Sequence, residues 1–385
     1  MISTPFFYLL SLTIIALSIV WTERSSRAKI FTYLPSFVMI YILIMLLATL
    51  GLWEKSDAIN GIYKASKSLI LPILIFLLML QVNLKLVFAL APKVLLSFFL
   101  ASVTLAVSFV ATYLLFKGVL PPESWKSFTA LSGSWMGGTA NMVAVADAIG
   151  ASEVNMGYTL VMDTVNYSVW VAFLLAIVPF SVRFNHFTKA KNIVSLTPDI
   201  QFSQTPFKIK FLDYGYILLS VIVAYLVSDI IARLTIYLPQ NSYFTSSSWN
   251  IILITIAGIL ASFTPLRNIR GNDSVANILL YLLIALIASR ANISEFSAVP
   301  TFIVAGFTIL GFHAILMSLF AKLFRLDLFS CAVASLANIG GIASAPILAS
   351  SYSKSLVPIA ILLAMLGYVV GTFGALLLGN ILMRL

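Results

Sequence analysis

The chain alternates long apolar runs with short polar breaks from one end to the other. Such runs fall at 4–22, 30–52, 68–84, 90–116, 128–149 and 157–182, and again at 211–237, 249–264, 275–290, 299–321, 328–350 and 355–383. Most approach or exceed the roughly 20 residues that a helix needs to cross a hydrocarbon core. Between the two sets lies a hydrophilic stretch, 183–210, carrying Arg183, Lys189, Lys191, Lys208 and Lys210. The pattern predicts an all-α polytopic membrane protein. Residues 1–182 form a first membrane repeat, 183–210 a cytoplasmic basic linker loop, and 211–385 a second membrane repeat.

Two of the runs are unlike the others. Leu131 to Ala146 reads LSGSWMGGTANMVAVA, and Ala334 to Ala349 reads ASLANIGGIASAPILA. Aligned without gaps they are identical at Ser132/Ser335, Gly137/Gly340, Gly138/Gly341, Ala140/Ala343 and Ala146/Ala349. Both are too polar and glycine-rich for a plain lipid-facing helix. Irregular backbone at membrane depth is tolerated where it is buried in protein or lines a watery cavity. Interruptions at matching places in two halves point to a transporter's binding site. Other landmarks keep the same register: Asn83 lies over Asn292, Gln81 over Arg290, and Tyr167 over Tyr368.

If every run crosses, the halves are parallel repeats; if the glycine stretches enter and leave on one side, the repeats are inverted. Lys and Arg give the same imbalance between faces in both arrangements, so the positive-inside rule does not separate them. Both put 183–210 in the cytoplasm. We read the repeats as inverted, because that gives a simple two-sided exchange of access.

Composition agrees with a membrane protein. The 385 residues are 61% hydrophobic and 9% charged, against about 25% charged in an average soluble domain, and the mean hydropathy is +1.05. The net charge of +10 is scattered over short loops, which suits topology and not a nucleic-acid partner. One cysteine, Cys331, excludes an internal disulfide and a Cys-rich metal site. The run Phe6–Trp21 has no basic residue before it and no clear cleavage site after it, so it reads as a retained helix.

Candidate chemistry gathers around the glycine pairs. Gly137, Gly138, Gly340 and Gly341 let backbone bend and approach a ligand. A broken helix exposes N–H groups with partial positive charge and C=O groups with partial negative charge, able to hold a carboxylate or a sodium ion. Thr139, Asn141, Asn338 and Ser344 stand beside them, and Pro346 removes a donor that would heal the second break. Packing through small residues is the competing explanation. Among the acids, Asp163 lies well inside an apolar run and is a candidate for ion coupling; Asp147 and Glu153 read as membrane-edge residues. Arg290 offers planar donors to a carboxylate, against snorkelling to the interface, and Asn292 can line the site or pair across helices. His186 and His313 form no metal spacing, and neither a nucleophile elbow nor a phosphate loop occurs. Trp21, Trp53, Trp125 and Trp249 fall near run ends, as interface anchors do.

GSWMGGTANMVAVADAIG, followed by VMDTVNYSVWVAFLL, resembles the YjcL-like integral membrane proteins of unknown function, as do ANIGGIASAPILA and LLAMLGYVVGTFGALL in the second half. That family is similar in fold to the cation:proton antiporter and anion transporter superfamily, which includes bile-acid sodium symporters. The resemblance implies a core domain with broken, Gly-rich helices crossing near mid-membrane, and a separate panel domain. The adjacent acid pair typical of sodium:proton antiporters is missing here.

The expectation is therefore a secondary transporter, not an enzyme. Its solute is a small organic anion coupled to Na+ or H+, with no other cofactor and no metal site. The rival readings are a Na+/H+ antiporter without organic substrate and a non-transporting scaffold or sensor. Its partners are the lipid bilayer, a small-molecule solute and a second copy in a homodimer, and its place is the bacterial inner membrane.

Overall fold

The structure, a computed structural model, describes residues 1–26, 35–190, 211–292 and 297–385. Among them there is no strand, and one isolated bridge pairs Ile2 with Trp53. The first half holds α1 (Pro5–Ser26), α2 (Ser36–Thr49), α3 (Asp57–Leu80), α4 (Leu84–Phe88), α5 (Pro92–Phe116), α6 (Ser124–Gly137), α7 (Thr139–Ala148) and α8 (Glu153–Ala176). After the short α9 (Ser181–Thr188) come α10 (Phe211–Leu234), α11 (Ser246–Ala261), α12 (Asn272–Ala288), α13 (Val299–Phe324), α14 (Leu328–Ile339), α15 (Gly341–Tyr352) and α16 (Val357–Arg384). Helices α1, α3, α5, α8, α10, α13 and α16 are long and apolar enough to cross a membrane. The chain is thus a multi-pass membrane protein; α2, α11, α12 and α14 are shorter apolar helices.

Local signals place the boundaries. Ser56, Asn83, Ser152 and Asp327 each accept a hydrogen bond from the first turn of the helix they precede, which satisfies an otherwise orphaned N–H. Thr245 and Ser248 form a reciprocal capping box at α11. Pro92, Pro300 and Pro358 sit in first turns, where a missing N–H costs nothing. Three expectations shift. The run predicted at 68–84 begins at Asp57, because the Ser56 cap carries the helix past the charged residues Lys64 and Lys67. The run predicted at 30–52 is helical over Ser36–Thr49, its first residues lying outside the described ones. The basic stretch predicted as a loop opens with the helix Ser181–Thr188, and its residues 191–210 lie outside the described ones.

Contacts between helix ends sort them into two faces. On the face that carries α9, Asn185 accepts the Leu328 N–H at 2.9 Å, Lys93 reaches the Arg325 carbonyl at 3.2 Å and Ser220 meets Asn272 at 2.6 Å. On the opposite face Tyr8 meets Ser289 at 2.6 Å, Lys117 reaches the Leu385 carbonyl at 3.0 Å and Ser248 bonds the Ala148 carbonyl at 2.7 Å.

Packing forms two groups. Helices α1, α2, α3, α10, α11 and α12 make one, and α5, α6, α7, α8, α13, α14, α15 and α16 the other. Within the first group the contacts come in matched pairs: α1–α2 with α10–α11, α1–α12 with α10–α3, and α2–α12 with α11–α3. In the second, α6–α8 matches α14–α16, but α16 packs far more closely on α6 than α8 does on α14.

Candidate functional site

At Gly138 the chain turns back. Its φ of 89° and ψ of 171° lie in a region that side chains resist. A Cβ on Gly133 would lie 3.0 Å from the Asn141 carbonyl oxygen and 3.1 Å from Val145, whereas in one straight helix Val145 would be roughly 18 Å away. So α6 and α7 run side by side, entering from the face opposite α9. The second pair does the same from the α9 face. Phe329 near the start of α14 and Tyr352 at the end of α15 meet edge to face, with ring centroids 5.3 Å apart. Here Gly341 carries the left-handed φ of 57°.

The two turns meet. Together they line a cavity of about 250 Å³, with Ser134, Gly138, Thr139 and Ala140 from one side and Gly340, Gly341, Ile342 and Ala343 from the other. Asp163 and Tyr167 of α8, Tyr368 of α16, and Asn277 and Tyr281 of α12 complete its polar wall. Thr139–Ala140 and Ile342–Ala343 open α7 and α15. The first N–H groups of a helix have no partner in their own helix and carry partial positive charge. Two such ends therefore face one small space.

Asp163 is 6% exposed. Its carboxylate accepts the Ser134 hydroxyl at 3.0 Å and the Trp135 indole N–H at 2.9 Å. Among the described lining residues it is the one ionisable carboxylate, and no Lys, Arg or His accompanies it. Nor does any group of three His, Cys, Asp or Glu stand together among the described residues in a way that could hold a metal ion.

Of the residues singled out in the sequence, Gly138, Thr139, Asp163, Gly340 and Gly341 line this cavity. The others stand behind it or elsewhere. Gly137 is pressed against α16, where a Cβ on Gly371 would lie 2.6 Å from the Gly137 Cα. Asn141 donates to the Tyr368 carbonyl at 2.8 Å, tying α7 to α16. Asn338 is fully buried, accepting from Ser102 at 2.7 Å and donating to the Ala334 carbonyl at 2.9 Å. Ser344 is buried close against Gly340.

Arg290 and Asn292 do not border the cavity. The Arg290 guanidinium lies 5.6 Å from the Tyr63 ring centroid at the face opposite α9. It joins a polar cluster there, in which Tyr63 donates to Glu153 at 3.0 Å, Tyr41 to the Glu153 carbonyl at 3.1 Å, and Lys67 pairs with Asp147 at 2.8 Å. This cluster ties α2 and α3 of one helix group to α7 and α8 of the other.

Sequence reasoning named Tyr167 and Tyr368 only as register marks and passed over Ser134 and Asn277. The signal for Tyr167 was present: it follows Asp163 by one helical turn, so both share a face. Ser134 carried the same signal, one turn before Gly138, whereas Asn277 reaches the site only through tertiary packing.

No curated protein matches the chain. A family model matches it over residues 11–385, and on that match the chain belongs to the family described as "Protein of unknown function (DUF819)".

Proposed function

We propose that this chain is a secondary active transporter of a small organic anion, coupled to Na+ or H+. The observation that carries the reading is the meeting of two turned-back helix pairs, one from each face, around a cavity bordered by the buried carboxylate of Asp163. Helix N-termini suit a carboxylate of the solute, and Asp163 suits the coupling cation. The matched helix contacts support two inverted repeats of five crossings each, with α1, α2, α3 and α5 counted alongside α8 and each glycine pair returning to its own face. The two packing groups support a panel and a core. This is the architecture implied by likeness to the anion transporter superfamily. Positive-inside bias assigns the α9 face to the cytoplasm, and a bacterial inner membrane is the natural setting.

A second reading, Na+/H+ exchange without organic solute, rests on Asp163 alone, since no second acid borders the cavity among the described residues. Uptake by purified protein in proteoliposomes separates the two. Accumulation of an organic anion such as succinate or benzoate, dependent on a Na+ or H+ gradient, supports symport. Ion exchange that ignores every organic solute supports antiport. Vesicles that carry neither would overturn both and leave the glycines as packing devices.

A further inference from the structure

A second cavity, of about 260 Å³, lies between α8, α13 and α14, and Phe184 of α9 borders it at the α9 face. Its sides are apolar, with Phe173, Leu174, Met317 and Cys331 among them. Trp170, His313 and Ser335 form its inner end. These polar groups are already engaged. The two ring nitrogens of His313 meet the hydroxyls of Thr104 and Ser335, each at 2.8 Å, and the Trp170 indole donates to Ser335 at 3.1 Å. Nothing at that end calls for a polar ligand. From His313 to the end of α13 at Phe324 is about 16 Å of helix, half of a hydrocarbon core of roughly 30 Å. The cavity therefore runs the depth of one leaflet. It opens sideways between α8 and α13, where Phe173 is 44% exposed and Ser318 is exposed opposite it.

Cations stand at its rim on the α9 face. Lys322 follows Ser318 by one turn of α13, and its ammonium lies 4.4 Å from the Phe187 ring centroid. Arg183 precedes Phe187 by one turn of α9, so their side chains are neighbours, and Lys189 ends that helix. All three cations are exposed, and none joins an ion pair among the described residues. No Asp or Glu occurs in 170–190 or 313–326. Asp327, next in line, is buried and caps α14. An apolar depth with a basic rim matches a phospholipid, chain inward and phosphate at the surface. Basic pockets between membrane helices hold anionic headgroups, and a guanidinium meets a phosphate in two-point contact. A small soluble anion would fit the rim alone and leave the apolar depth unfilled.

We propose that this cavity takes one acyl chain of an anionic phospholipid from the leaflet at the α9 face, with the lipid phosphate held by Arg183 and Lys322. The site is separate from the central cavity but close to it: Trp170 follows Tyr167 by one turn of α8, and Ser335 precedes Ile339 by one turn of α14. It does not depend on the chain's moving a solute, and its test needs no flux. Cys331 borders the cavity and is the chain's one cysteine, so its rate of reaction with N-ethylmaleimide reports occupancy. The purified chain is compared in nanodiscs of phosphatidylcholine alone and of phosphatidylcholine mixed with phosphatidylglycerol. Phosphatidylglycerol should slow the labelling at least fivefold and raise the melting temperature by several degrees. The double variant Arg183→Gln/Lys322→Gln should label at the phosphatidylcholine rate in both discs, and melt as wild type does in phosphatidylcholine alone. Inorganic phosphate should leave the wild-type rate unchanged. Equal labelling in the two discs, or undiminished protection of the Gln variant, overturns the site. Protection by oleate equal to that by phosphatidylglycerol also overturns it, in favour of a fatty acid. So does a Cys331 that labels in SDS but in neither disc, since lipid charge would then make no difference to what fills the cavity.

Discussion

The indole N–H of Trp135 donates to the Asp163 carboxylate at 2.9 Å, across the junction of α6 and α8. A buried acid with two fixed donors and no cation among the residues lining its cavity is held in place but not neutralised there. Such a group is costly in a membrane interior, which is why the proposed function gives it a mobile cation. The same bond makes Asp163 part of the packing, so its substitutions separate structure from function.

Asp163→Asn keeps an acceptor for Trp135 and removes the charge. Cation-driven uptake should fall at least tenfold, while the melting temperature in detergent moves by only a few degrees. Asp163→Ala leaves the Trp135 N–H buried and unpaired, at about 1–3 kcal/mol, and should lower the melting temperature clearly. Full uptake by Asp163→Asn would remove Asp163 from the coupling mechanism.

Gly371→Ala should destabilise the protein by about 1–3 kcal/mol through overpacking, because its Cβ would meet the Gly137 backbone. Gly374→Ala, one turn further on, has the flexible Met136 side chain as its nearest neighbour at 3.5 Å and should be near neutral. Thermal unfolding of the two variants side by side checks the contact; equal melting temperatures would argue against it.

The turned-back geometry of the second glycine pair is open to direct measurement. Cysteines placed at Phe329 and Tyr352, in a Cys331→Ser background, should be joined by a short bifunctional maleimide in intact membranes. In a straight span the two would be roughly 35 Å apart and no intramolecular link would form.

Much of this was legible because the glycine stretches carry a local signal: no side chain means no objection to φ values such as that at Gly138, and two matched stretches are hard to explain by packing alone. Asp163 stood out by its setting in an apolar run. Distances across the fold were not legible. Asn338 and Asn141 look like ligands in the sequence, yet each spends its amide on a backbone carbonyl, Asn338 within its own helix and Asn141 on a neighbouring one. Arg290 sits in register with Gln81, but Gln81 ends its helix on the α9 face and Arg290 lies at the other face. In the proposed inverted arrangement equivalent positions fall on opposite faces, so register alone could not say which of them borders the cavity.

The Lys67–Asp147 pair, at 2.8 Å and about a quarter exposed on each side, should contribute only about 0–1 kcal/mol to stability. Its effect should appear in access instead. Lys67→Ala should raise labelling, from outside the cell, of a cysteine placed at Thr139. The exchanged pair Lys67→Asp/Asp147→Lys should bring it back towards wild type. Labelling that is unaffected by either change would leave the pair a surface ornament.

Gly367 and Gly371 bring the α16 backbone against that of both glycine pairs: a Cβ on Gly367 would lie 3.2 Å from the Met136 carbonyl oxygen and 3.4 Å from that of Ala337. Main chain resting on main chain leaves nothing to rotate or slide, so this junction behaves as a weld. Under the proposed transport, a motion that trades one opening for the other would run along the seam between the two helix groups and carry the chamber between the glycine turns whole.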